Sequence, residues 1–70
     1  MCGIVGYIGN NQAAPFLLDG MSKLEYRGYD SAGIAVYEQG KITVEKCVGR
    51  LDSLRQKLDG HMPEGTMGIG

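Results

Sequence analysis

The stretch that decides the fold is AGIAVYEQGKITVEKC, residues 32–47. Two apolar runs rich in β-branched residues, 32–38 and 41–47, flank the dipeptide Gln39-Gly40. A two-residue connection of this kind is typical of a β-hairpin, so at least part of the sheet is antiparallel. The turn length also predicts which residues pair across the hairpin: Tyr37 with Ile42, and Ala35 with Val44.

Further elements are predicted on both sides of the hairpin. Residues 2–9 (CGIVGYIG) and 32–38 lack strict alternation, which favours strands buried on both faces. An apolar stripe predicts a helix over 12–25, with Asn10 and Asn11 as turn and N-cap residues. The members of that stripe are Ala14, Leu17, Leu18, Met21 and Leu24.

The C-terminal half continues the same alternation of helix and strand. A second helix is predicted over 50–59, with an apolar side of Leu51, Leu54 and Leu58 and with Gly60 at its C-terminal cap. Residues 66–70 (TMGIG) predict a last strand that is cut short and leaves an unpaired edge. The order β-α-β-β-α-β indicates an α+β fold, and doubly apolar strands favour a layered arrangement.

Composition excludes several classes of function. The chain has 70 residues and a net charge of −1 without a basic patch, so we expect no nucleic-acid partner. No signal peptide and no apolar run of about 20 residues is present, which predicts a soluble cytoplasmic protein with no membrane partner. One histidine and two cysteines give no metal-ligand spacing, and we expect no metal and no other cofactor.

Cys2 is the first candidate for chemistry. Removal of Met1 would leave the cysteine with a free α-amine, whose pKa is usually about 7.7–8.0, beside a thiol whose pKa is usually about 8.5. The amine could then act as a general base for the thiol within a single residue. The alternative is an ordinary free cysteine at the start of a strand.

Two glycine-containing segments are weaker candidates. Gly6 and Gly9 precede a helix, and Glu38 could meet a ribose, so a nucleotide-binding βαβ module is one alternative. The polar loop Tyr26–Ser31 contains Arg27-Gly28, which could hold an anion or orient a nucleophile, or could be an ordinary turn. His61 is interpreted as a surface residue, Cys47 as a buried thiol, and the charges around Lys23 and Glu25 as a solvated helix face.

Two motifs together resemble a known family. MCGIVG at residues 1–6 and LEYRGYDSAGIA at residues 24–35 are similar to the class II glutamine amidotransferases, which are N-terminal-nucleophile hydrolases. The second motif resembles their hexosamine-forming branch. The resemblance implies that residues 1–70 are the N-terminal part of a type-2 glutaminase domain, within a four-layer αββα sandwich.

The resemblance also implies a mechanism and partners. Cys2 would attack the side-chain amide of glutamine, while Arg27 and Gly28 would orient the nucleophile or line the glutamine pocket. Ammonia would convert fructose 6-phosphate to glucosamine 6-phosphate in a separate sugar-phosphate isomerase domain of a homodimeric or larger parent enzyme. That domain and the rest of the glutaminase domain are missing, so we expect the fragment to be inactive alone. A truncated product without enzymatic function is the other alternative.

Overall fold

The computed structural model describes residues 3–25 and 30–70. These residues form two helices and four strands in the predicted order, which confirms the α+β class. The elements are β1 (Gly6–Ile8), α1 (Ala13–Leu24), β2 (Ser31–Glu38), β3 (Lys41–Val48), α2 (Leu51–Leu58) and β4 (Met67–Ile69). Neither helix of the described residues is long and apolar enough to cross a membrane.

The four strands form one sheet in the order β1-β4-β2-β3, and each neighbouring pair is antiparallel. The expectation that the last strand leaves an unpaired edge is therefore wrong. β4 lies inside the sheet, where Gly68 pairs with Tyr7 on one side and with Val36 on the other. Among the described strands, β1 and β3 form the edges. The last strand therefore joins the N-terminal strand to the hairpin.

The hairpin has the predicted register. Tyr37 pairs with Ile42, and Ala35 pairs with Val44. Gln39 has φ 51° and Gly40 has φ 78°, which is the pair of positive φ angles that a type I′ turn requires. This turn matches the twist of the strands, so β2 and β3 stay paired over all eight residues of each.

The two helices bury the predicted apolar stripes, but α1 begins differently from the prediction. The N-cap residue is Gln12, not an asparagine, and its side chain makes no capping hydrogen bond. The Ala13 N–H instead donates to the Gly65 carbonyl at 2.8 Å, so the segment before β4 satisfies the start of the helix. In α2 the predicted leucines are buried, and Gly60 follows the helix with φ 82°, as its capping role requires.

The two faces of the sheet differ, which corrects the prediction of strands buried on both faces. The helices cover one face, whose core residues include Ala32, Ile34 and Val36. The opposite face, here called the open face, carries seven large apolar side chains that are each between 39% and 85% exposed. They are Ile8, Tyr37, Ile42, Val44, Val48, Met67 and Ile69. The described residues thus form one α layer and one β layer, consistent with half of an αββα sandwich.

Candidate active site

The predicted site residues Cys2, Arg27 and Gly28 lie outside the described residues. The residues directly before and after them in the sequence are described, and we use the positions of these flanking residues below. Gly3 directly follows Cys2, while Glu25 and Asp30 lie on either side of residues 26–29.

The two motifs approach each other at the C-terminal end of α1. A Cβ atom built on Gly3 would come within 2.7 Å of Leu24 Cδ1, so the third residue of the chain lies directly against the last residue of the helix. Gly20, one helical turn earlier, lies equally close to Val5, because a Cβ built on Gly20 would come within 2.8 Å of Val5 Cγ1. Small residues on both segments allow the N-terminal stretch to lie close to the helix.

Glu25 ties the end of α1 to the start of α2. Its Oε2 accepts a hydrogen bond from the Leu51 N–H at 2.8 Å, and its Oε1 lies 3.5 Å from the Arg50 guanidinium. The Glu25 side chain is only 16% exposed, so the prediction of a solvated carboxylate is wrong. The α2 N-cap, Arg50, makes no side-chain capping bond of its own. The carboxylate from α1 therefore caps the helix that follows.

Asp30, which follows residues 26–29, also bonds to the chain just before α2. The Gly49 N–H donates to the Asp30 carbonyl at 2.8 Å. Gly49 has φ 103°, a conformation that side-chain-bearing residues rarely adopt, so a glycine is needed here. Residues Gly49, Arg50 and Leu51 form what we call the 49–51 turn, which thus contacts both Glu25 and Asp30, the residues on either side of 26–29.

A groove among the described residues lies away from the two motifs. This groove of about 640 Å³ lies at the C-terminal end of α2 and is lined by Glu38, Thr43, Glu45, Arg55, His61 and Glu64, among others. It also touches Gln12, just before α1 begins. Leu24 is at the far end of that helix, 12 residues on, which at 1.5 Å per residue is roughly 18 Å away. The groove therefore belongs to the opposite end of the helix pair from the motifs.

The structure does not support a nucleotide-binding βαβ site. β1 and β2 do not pair with each other, because β4 lies between them and is antiparallel to both. Two backbone amides at the ends of the segment between β1 and α1 are already bonded: the Gly9 N–H to the Thr66 carbonyl at 3.2 Å, and the Ala13 N–H to the Gly65 carbonyl at 2.8 Å. Glu38 accepts a hydrogen bond from the Glu64 N–H at 3.2 Å.

The remaining candidate side chains, His61 and Cys47, form no second site with the two motifs among the described residues. His61 is exposed, as predicted, and Cys47 is a free thiol that is half-buried against the core. No group of three or more His, Cys, Asp or Glu side chains in residues 3–25 and 30–70 could hold a metal ion. The sequence patterns did not predict the role of the 49–51 turn. The one signal for this turn in the sequence is Gly49, which separates β3 from α2.

Comparison with known proteins agrees with the resemblance seen in the two motifs. No protein-family profile matches the chain. The chain is 59% identical over all 70 residues to the glutamine–fructose-6-phosphate aminotransferases (isomerizing) of Caldanaerobacter subterraneus subsp. tengcongensis and of Clostridium tetani. It is 51% identical over 70 residues to the same enzyme of Synechocystis.

The match covers the whole of this chain but little of each relative. The chain spans about 12% of the length of the Caldanaerobacter and Clostridium enzymes and 11% of that of Synechocystis. Identity of this level along an unbroken 70-residue match, in a chain of the expected α+β order, confirms the resemblance. Over its whole length the chain is a homologue of one segment of the glutamine–fructose-6-phosphate aminotransferases.

Proposed function

We propose that this segment supplies the nucleophile of a glutamine-hydrolysing domain. After removal of Met1, the α-amine of Cys2 takes the proton of its own thiol, and the sulfur attacks the side-chain carbonyl carbon of glutamine. The tetrahedral intermediate collapses when the C–N bond breaks and the nitrogen leaves as ammonia, carrying that proton. Water then attacks the glutamyl thioester, which releases glutamate and restores the thiol.

Two observations support this assignment. The contact of Gly3 with Leu24 brings the residue after Cys2 to the helix end from which the Arg27-Gly28 motif departs. The relatives that match the whole chain carry names that specify glutamine as a substrate. The first observation carries the proposal, because it brings together Gly3 of the first motif and Leu24 of the second, which are 21 positions apart in the sequence. Arg27 and Gly28 then orient the nucleophile or line the glutamine pocket.

In the complete protein this segment would supply only some of the catalytic groups. The nucleophile and its base belong to Cys2, while the groups that bind the glutamine carboxylate and the oxyanion come from other parts of the glutaminase domain. The ammonia then aminates fructose 6-phosphate, the other substrate named for the relatives, in the sugar-phosphate domain. Removal of one oxyanion donor alone typically lowers the rate about 10²–10³-fold, so we expect the 70-residue chain by itself to be inactive. A homodimeric or larger parent enzyme stays a prediction.

A chimaera with a full-length relative tests the proposal. Residues 1–70 replace the matching segment of the Caldanaerobacter enzyme, with which they share 59% identity. The chimaera should release glutamate from glutamine, and Cys2→Ala should abolish that release while fructose 6-phosphate isomerisation continues. The matched control is Cys47→Ala, which removes the other thiol and should leave hydrolysis within about twofold. Normal glutamine hydrolysis by the Cys2→Ala chimaera would contradict the assignment.

A further inference from the structure

We infer that the open face is a contact surface for a second copy of this chain, so that two 70-residue chains stack face to face as a symmetric dimer. In this dimer the helices lie outside and the two sheets lie against each other. The contact consists only of residues on strands β1–β4 and does not include Cys2 or residues 26–29. It is therefore independent of the proposed function.

The strand register arranges the open face in rows that run across all four strands. Residues that lie directly opposite each other in neighbouring strands carry their side chains on the same face. The first row has a large apolar side chain on every strand: Ile8, Met67, Tyr37 and Ile42. The second row alternates small and large residues: Gly6, Ile69, Ala35 and Val44. The open face thus presents a raised row beside a lower one.

A shallow hollow lies along the second row. It has a volume of about 250 Å³ and a mainly apolar lining that includes Gly33, Ala35, Val44, Lys46 and Ile69. Ala35 ends at its Cβ, so β2 is low at this point. Tyr37, two residues further along the same strand, carries a large ring that is 46% exposed. The face therefore has both a projection and a recess that could receive it.

A symmetry axis between the two rows, perpendicular to the strands, brings the projections over the recesses. Half a turn about this axis reverses the strand direction and keeps each strand at the same position across the sheet. The first row of one copy then faces the second row of its partner, with the sheets about 10 Å apart and their strands within about 30° of each other. The facing pairs are Ile8 with Gly6, Met67 with Ile69, Tyr37 with Ala35, and Ile42 with Val44.

The area of the two rows suits a weak dimer. Each of their six large side chains presents on the order of 100 Å² to water. Stacking would bury on the order of 500 Å² from each copy and about 1,000 Å² in total, which is the lower end for a specific contact between proteins. We therefore expect a dissociation constant on the order of 10–100 μM.

The distribution of charge is compatible with this contact. None of the eight positions in the two rows is an acid or a base. Lys46 lies in the next row, opposite Gly33, where a Cβ would come within 2.9 Å of Lys46 Cγ. Lys46 is on β3, an edge strand of the described sheet, so its ammonium group can reach water at the rim. An uncharged centre with a lysine at the rim is typical of protein interfaces.

Reciprocal charge substitutions in the 70-residue chain test the pairing of the rows. Met67→Lys and Ile69→Glu each place an unpaired charge against an apolar side chain of the partner, so each variant alone should raise the dissociation constant about 100-fold or more. An equimolar mixture should form a heterodimer within about tenfold of the original affinity, because the two substituted positions face each other and carry opposite charges. Sedimentation velocity between about 5 and 500 μM, which brackets the expected constant, measures both effects.

The matched control is Val48→Lys, on the same face. Val48 is 85% exposed but lies two rows beyond Val44 along β3, outside the two contact rows. This variant should keep the dissociation constant within about threefold, and circular dichroism shows whether each variant keeps its helices. A second measurement needs no substitution. On dilution of the unmutated chain, the amide NMR signals of the two rows should shift, while those of Val48 and of both helices should not.

Each outcome supports or overturns the inference. Loss of the dimer in both charge variants, with recovery in the mixture, supports it. A dimer that persists in both variants overturns it, in favour of strand pairing along the β3 edge, and a mixture that stays monomeric also overturns it. The dilution spectra decide if a variant loses its helices. An unmutated chain that is monomeric throughout overturns the inference and leaves a segment of a longer protein as the occupant of the open face.

Discussion

Ile69→Lys should be tolerated by the isolated chain but should destabilise the chimaeric enzyme, because the open face is exposed in the first and covered by a second sheet in the other. Ile69 lies on β4, in the interior of the sheet, and 59% of its side chain is exposed. In the 70-residue chain a lysine there extends into water and should change the free energy of unfolding by no more than about 0.5 kcal/mol. It also interrupts an apolar patch that favours self-association, so the monomer fraction should rise.

In the complete enzyme the same lysine would lie between two sheets. Full burial of an isoleucine side chain contributes about 1.5–3 kcal/mol, and the exposed 59% of Ile69 would supply about 1–2 kcal/mol of that when covered. An unpaired ammonium group buried in its place adds a penalty of about 3–5 kcal/mol. The variant chimaera should therefore be destabilised by about 4–7 kcal/mol, which is a large part of the total stability of most domains.

Two assays measure the two effects. Sedimentation velocity gives the monomer fraction of the isolated chain, with and without Ile69→Lys. Thermal inactivation of glutamine hydrolysis, followed separately from fructose 6-phosphate isomerisation, gives the stability of the chimaera's glutaminase domain. The control is Val36→Lys, on the helix-covered face, where the side chain is fully buried and the substitution should disrupt both proteins. If Ile69→Lys leaves thermal inactivation unchanged, the open face is exposed in the complete enzyme and the sandwich interpretation is wrong.

Three further predictions concern the termini, the thiols and one buried glycine. Intact mass spectrometry of the chimaera should show that Met1 is absent, and a fully active enzyme that retains it would rule out the α-amine as base. Thiol titration of the unfolded, unreduced chain should find both Cys2 and Cys47 free, and finding neither would indicate a disulfide. Gly65→Ala should destabilise the chimaera by about 3 kcal/mol or more, because its Cβ would overlap backbone atoms of β2. A melting temperature equal to that of the unmutated chimaera would contradict that packing.

The local elements were predictable because their signals are short in range. The hairpin register follows from the two residues of its turn, and α2 follows from three leucines at helical spacing. In the same way, the stripe of α1 gave its bounds to within one residue at each end. These features depend on backbone conformation and periodicity, which a single sequence displays directly.

The long-range contacts were not predictable from these signals. Nothing local indicates that β4 inserts between β1 and β2, or that the Gly65 carbonyl replaces an asparagine as the cap of α1. Glu25 looked like a solvated helix residue, because its partner Leu51 is 26 positions away and contributes only a backbone amide. The prediction that both faces of the strands are buried was also wrong for the open face. An apolar strand shows the same sequence pattern whether its second face is covered by this segment or by a layer from elsewhere.

The central claim is that Cys2 becomes covalently attached to the glutamyl group of the substrate. The chimaera can be mixed with glutamine, quenched in acid during turnover and digested, and the peptides that carry each cysteine weighed by mass spectrometry. We expect the N-terminal peptide beginning at Cys2 to gain the mass of one glutamyl group and to lose that gain on treatment with hydroxylamine. The Cys47 peptide should be unchanged. Glutamate release at a normal rate with the glutamyl group on Cys47, or on another residue of the chimaera, would contradict the account.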